Sequence, residues 1–100
     1  IFLVHRLATK EYVKALRQYE RQSVSISERF VEATHRALDL IEQNPKWWPR
    51  FDERRRWIKI KKFPYIIYFE VADAAIKILA VAHESAAQVI GNGVRWIEGH

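Results

Sequence analysis

The spacing of apolar positions changes period along the chain, and each change marks an element. Ile1 to Val4 is a short run of bulky and β-branched residues, which predicts an opening strand. From about Lys10 the pattern becomes helical: Val13, Leu16 and Tyr19 share a face, with Tyr12 at its margin. Thr9 is the expected N-cap and the helix should end near Arg21. Gln22-Ser23-Val24-Ser25 breaks the pattern. Ser25 and Glu28 then stand at capping-box spacing, where each side chain satisfies an orphan amide at a helix start. Ile26, Phe30, Ala33, Ala37, Leu38 and Ile41 recur at mostly three- and four-residue intervals. The helix should end at Asn44-Pro45, because a residue before proline is pushed out of the helical region. Two helices joined by a short polar turn predict an antiparallel hairpin.

The second half alternates instead. Between Arg54 and Lys61, Ile58 and Ile60 fall on one face, and Arg55, Trp57, Lys59 and Lys61 on the other. Phe63-Pro64 forms a corner and Tyr65 to Val71 a strand. Ala72-Asp73-Ala74 turns the chain into Ile76 to Ala82, a more apolar strand expected to be central. Such short connections require antiparallel neighbours. The order is β-α-α-β-β-β: an α+β fold with a helical hairpin packed on a mainly antiparallel, twisted four-stranded sheet.

Composition narrows the classes. One hundred residues make a single domain, expected to span 1–100, and 49% hydrophobic content argues for a packed core over disorder. Without cysteine, disulfides and thiolate metal sites are excluded, which fits a reducing cytoplasm. No apolar run reaches the ~20 residues of a membrane helix. Ile1 to Leu7 is too short, and too interrupted by His5 and Arg6, for a signal peptide, so the expected location is cytoplasmic. The first residue is not Met, so the numbering starts inside the natural or cloned product. Glu98-Gly99-His100 could be the stub of a purification tag and carries no functional weight.

Charge is informative once divided. Ala8 to Asn44 is neutral, with six basic and six acidic residues, whereas Lys46 to Lys62 holds eight basic residues against Asp52 and Glu53. The excess of the +5 chain therefore sits in one segment, where it would attract polyanions or acidic partners. Alternation would set Arg55, Trp57, Lys59 and Lys61 in a row about 6.5–7 Å apart. The cations could neutralise a nucleic-acid backbone while Trp57 stacks on a base, with Arg54, Arg56 and Lys62 extending the surface. RNA cleavage without a metal would need a base for the ribose 2′-OH and positive charge on the phosphorane. Lys59 or Lys61 is the candidate base and Arg55 or Arg56 the stabiliser. His83, placed near the mouth of the same face, could shuttle a proton.

Each assignment has a plainer alternative. The basic row could be a solvated strand face that blunts edge pairing. His83 could be a hydrogen-bonded packing residue, and His5 and His35 are assigned no role. Tyr65 and Tyr68 fall on opposite faces: one could be core while the other stacks on a base or donates a hydroxyl hydrogen bond, and core packing is the plainer reading for both. Trp47-Trp48-Pro49-Arg50-Phe51 could plug the end of the sandwich or receive a partner segment. The carboxylates are scattered and Asp52-Glu53 has no nearby histidine in sequence, so neither metal nor cofactor is expected.

A series of motifs runs through this order: Tyr19-Glu20-x-x-Ser23, Arg29-Phe30, Leu40-Ile41-x-x-Asn44-Pro45, Phe63-Pro64-Tyr65, Ile67-Tyr68 and Ile78-Leu79-Ala80-Val81-Ala82-His83. Together they resemble the RelE/ParE superfamily of type II toxin–antitoxin toxins, the plasmid stabilisation family, across roughly residues 2 to 83. The resemblance implies a cytoplasmic toxin wrapped by a cognate antitoxin protein. It implies one of two targets: messenger RNA cut at the ribosome by an mRNA interferase, or DNA gyrase inhibited without known catalytic chemistry. One departure is clear. Family members usually carry an arginine-rich stretch after the histidine. This chain reads Glu84-Ser85-Ala86-Ala87-Gln88-Val89-Ile90-Gly91, a divergent tail over 84–100 with no basic residue before Arg95. A degenerate, non-toxic module that binds only antitoxin or RNA therefore stands as the alternative.

Overall fold

The computed structural model describes residues 1–90 and 93–96, with side chains described for 1–85. The possible tag stub at 98–100 lies outside the described residues. The elements are β1 (Phe2–Val4), α1 (Arg6–Gln22), α2 (Val24–Gln43), β2 (Arg55–Lys59), β3 (Tyr65–Ala72) and β4 (Ala75–His83). A 3-10 turn over Glu84–Ala86 leads into β5 (Ala87–Ile90) and β6 (Gly93–Trp96). The main sheet has the order β1-β4-β3-β2. Only β1 and β4 pair in parallel; β4–β3 and β3–β2 are antiparallel, and β4 is internal as its apolar sequence predicts. The expected β-α-α-β-β-β architecture is present. The tail adds a separate antiparallel pair, β5–β6, that helical or alternating periodicity did not reveal.

Both helix starts differ from expectation. α1 begins at Arg6, capped by His5, whose Nδ1 accepts from the Leu7 amide at 3.0 Å. Thr9 is inside the helix. The buried stripe accordingly runs through Ala8 and Ala15, flanked by Tyr12, Leu16 and Tyr19, while Val13 lies outside the core cluster. α2 is capped by Ser23, not by Ser25 with Glu28: Ser23 Oγ accepts from the Ile26 amide at 3.4 Å. Ser23 also donates its own N–H to the Tyr19 carbonyl at 2.9 Å. One extended residue thus closes the first helix and opens the second, which leaves no room for a longer polar turn. Ser25 instead receives a hydrogen bond from Arg29. Asn44 ends α2 as expected.

The helices cover one sheet face. Phe30 and Ile41 from α2 are fully buried against Ile58, Ile60, Ile67, Phe69 and Ile78 of the sheet and the segment after β2. A register shift at Tyr68/Phe69 pairs these residues with Ala80 and Ile78, skipping Leu79. That bulge lets both Ile78 and Val81 face the helices, although their parity differs. β1 ends opposite Ile78, so Val81 has no strand partner on that side. Glu11 of α1 fills the gap: its Oε1 accepts from the Val81 amide at 2.8 Å.

Candidate functional surface

The motifs shared along the sequence converge on an aromatic cluster. Phe30 lies 5.0 Å from Tyr19, 5.1 Å from Phe63, 5.3 Å from Tyr12 and 5.7 Å from Tyr65 between ring centroids. Tyr65 in turn meets His83 edge-on at 5.2 Å. These residues pin the helical hairpin to the corner of the sheet, where tilted and edge-to-face pairs add to burial. Their first task is packing.

The opposite sheet face is not an open cationic shelf. Ile66, Tyr68 and Ala82 are buried there, with Phe51, Trp57 and Ala80 packed against them. Phe51 reaches over from the loop before β2 and meets Tyr68 edge-on at 5.1 Å. Trp57 is half-buried in this second core, and its Nε1 is buried without a hydrogen-bond partner. Its ring is therefore not a free stacking platform. Burial pushes the Tyr68 hydroxyl up to about 12, so at neutral pH it stays protonated and can act as a donor but not as a base.

The expected basic row is divided among several environments. Asp52 holds Arg55 through an ion pair and a 2.7 Å hydrogen bond from Nε. The Arg55 guanidinium also lies 4.9 Å from the Phe51 ring centre. Arg56 donates to the Trp48 carbonyl at 2.8 Å, and burial followed by the nearby Arg50 charge lowers its pKa. Arg54 is exposed and Lys59 donates to the Phe63 carbonyl at 2.9 Å. Lys61 and Lys62 lie past the strand, where Lys62 adopts a positive φ of 71°. With Arg29 and Arg36 of α2 they line an open groove that also contains Glu32 and Phe63. Alternation fails at Lys61 because β2 ends at Lys59 and the chain turns.

His83 is also displaced from its expected neighbours. It pairs with Tyr65, on the face that carries the helices, whereas Lys59 pairs with Ile66 on the opposite face. Its Nδ1 accepts from the Ser85 amide at 3.0 Å and lies 2.8 Å from Ser85 Oγ, which leaves the proton of a neutral ring on Nε2. The four candidates thus have separate settings: Arg55 on Asp52, Lys59 on the Phe63 carbonyl, Lys61 in the groove beside α2 and His83 against Tyr65. Among the described residues no group of three or more His, Cys, Asp or Glu could hold a metal ion.

Sequence reasoning missed Asp52, which organises the start of β2. One carboxylate oxygen accepts from the Arg54 and Arg55 amides at 2.9 and 2.7 Å while the other holds Arg55 Nε. Burial alone would raise this carboxyl, but the hydrogen bonds from Arg55 and the two amides outweigh it and hold the pKa below its ordinary value. Asp52-x-Arg54-Arg55 is an Asx-type turn signal, legible in retrospect. Asp52→Asn keeps an acceptor for the amides and removes the charge. It should cost less than about 1 kcal/mol near neutral pH, since Arg55 is 43% exposed. The deficit relative to the parent should be full above the unfolded aspartate value and shrink as pH falls through the lower folded value. Urea titrations of both proteins at pH 7 and pH 3 check this; an equal deficit at both would be contrary.

The architecture and its motifs agree with the comparisons to known proteins. The family model described as the ParE toxin of the type II toxin–antitoxin system parDE matches residues 2–87. The chain belongs to the ParE toxin family. A solved structure described as the chromosomal ParDE TA system from P. aeruginosa shares the fold, with a TM-score of 0.59 at 16% identity. The match covers 82% of this chain and 92% of that one. No curated protein matches the sequence. The ParE family match spans β1 to β4 and reaches Ala87, so it includes the aromatic cluster and His83.

Proposed function

We propose that this chain is the toxin of a type II pair, neutralised by a cognate antitoxin in the cytoplasm, and that it poisons DNA gyrase by binding. The observation that carries this reading is the separation of the cations and His83. General acid–base cleavage of RNA needs its groups within hydrogen-bond reach of one substrate, and here they sit on opposite faces or are engaged by Asp52 and backbone carbonyls. The resemblance to the superfamily implies gyrase inhibition for its ParE-like branch, and the family model that matches this chain is the ParE one. An antitoxin partner is supported by the ParDE neighbour and by β1, an edge strand beside exposed Ile1, Leu3 and Val4. Such an edge invites cover by another chain. No helix among the described residues is long and apolar enough to cross a membrane.

Inducing the chain without its partner should stop growth, trigger the SOS response and accumulate gyrase-cleaved DNA while messenger RNA stays intact. Purified toxin should inhibit supercoiling by gyrase. Normal growth at good expression would favour the non-toxic module instead. A ribonuclease reading retains one support, the groove where Lys61 and Lys62 meet Arg29 and Arg36. Lys61→Ala, the candidate base that lies in this groove, separates the readings. Loss of a general base costs roughly 10²–10⁴-fold in rate, whereas a gyrase binder should keep its toxicity within about threefold, measured by growth after graded induction.

A further inference from the structure

The near balance of charge in the helical hairpin, seven basic residues against six acidic, conceals a segregation that the fold makes visible. α1 carries Arg6, Lys10, Lys14, Arg17 and Arg21 against Glu11 and Glu20, while α2 carries Arg29 and Arg36 against Glu28, Glu32, Asp39 and Glu42. The five α1 cations recur at intervals of four, four, three and four residues, which places them in one row at about 100° per residue. That row lies opposite the buried stripe of Ala8 and Ala15, and all five residues are exposed. The two α1 carboxylates stand outside it, and Glu11 is committed to the Val81 amide. Among the described residues the ion pair is Arg55–Asp52, and none of the five cations has a carboxylate partner. A helix surface built only for solubility usually interleaves opposite charges at i,i+4 spacing; this one does not.

We infer that the outer face of α1 is a binding surface for duplex DNA, contacting the phosphate backbone. The row spans about 22 Å at 1.5 Å per residue, and presents roughly one positive charge per 4–6 Å. One DNA strand carries a negative charge per about 3.4 Å of axis, of which only the protein-facing part is in reach. Long, unpaired lysine and arginine side chains bridge the remaining mismatch. The inference rests on the gyrase reading for its setting, because gyrase holds a duplex against which a bound toxin would lie. An acidic helix could span the same length, and the polyglutamate competition below separates that occupant from the duplex.

Binding of the full chain to a fluorescent 20-base-pair duplex, followed by anisotropy from about 50 to 200 mM salt, tests it. The variant K10Q/K14Q/R17Q/R21Q keeps good helix formers at exposed positions, and circular dichroism checks its fold. Each lost phosphate contact should lower the log–log salt slope by about 0.9, so the variant should lose up to about 3–4 in slope and bind at least tenfold more weakly at low salt. A control variant R36Q/K46Q/R54Q/K77Q removes the same charge elsewhere and should lose far less. Equal losses in both variants, or none in the first, would overturn the inference. So would row-dependent binding of a polyglutamate peptide that displaces the duplex at equal charge concentration. Supercoiling inhibition is measured on the same proteins: a wild-type chain that binds the duplex through the row yet leaves gyrase untouched refutes the target alone.

Discussion

Phe30→Ala should remove a large share of the domain's stability. The ring is 0% exposed and touches four other aromatic rings, two from α1 and two from the segment entering β3. Truncation removes the ring at the centre of the cluster, which together with Tyr19 joins both helices to the sheet corner. A buried Phe→Ala change costs about 3–5 kcal/mol, set against a total of about 5–15 kcal/mol for domains of this kind. At about 4–8 °C per kcal/mol for a chain of this size, the melting temperature should fall by roughly 12–40 °C. Thermal denaturation followed by circular dichroism reads it, and a fall below about 5 °C would mean the cluster is not the structural centre. Toxicity should vanish with the fold, so this variant says nothing about target.

Glu11→Ala should be the most damaging change at a charged position. Its carboxylate accepts from the Val81 amide across 70 residues of sequence, where β1 no longer covers β4. Alanine leaves a half-buried N–H with neither strand nor carboxylate. A hydrogen bond to a charged group contributes about 1.5–3 kcal/mol, which corresponds to a melting shift of roughly 6–24 °C. Glu11→Gln retains an acceptor oxygen and should recover at least half of that loss. Equal destabilisation by both substitutions would show that the negative charge, and not the amide bond, is what α1 supplies. Hydrogen exchange at Val81 provides a direct readout, with fast exchange expected only in the alanine variant.

The candidate surface was less legible than the fold, for local reasons. Alternation correctly turned Ile58 and Ile60 inward, because apolar burial sets strand phase. It could not tell where β2 would stop, and Lys61 belongs to the turn. Nor could it foresee that Phe51 would fold over the outer face and convert the surroundings of Trp57 and Tyr68 into a second small core. His83 was assigned to the wrong face because a bulge at Leu79 changes strand parity, and one-residue shifts in register leave no mark on an apolar run. The helix starts were misplaced for a related reason. Several residues could cap, and tertiary packing of Ala8 and the tight turn at Ser23 selected among them.

What the amino-acid order determined by itself was the succession of elements, the inward faces of the helices and of β2, and the concentration of charge in one segment. These follow from period and composition, which act between residues close in sequence. What only the tertiary structure decided was which cations share a surface. Asp52 draws in Arg55, a turn delivers Lys61 and Lys62 to α2, and the helix period gathers Arg6 to Arg21 on the side away from the core. Charges interact across space, with energies that depend on distance and burial, and neither quantity exists until the chain has folded.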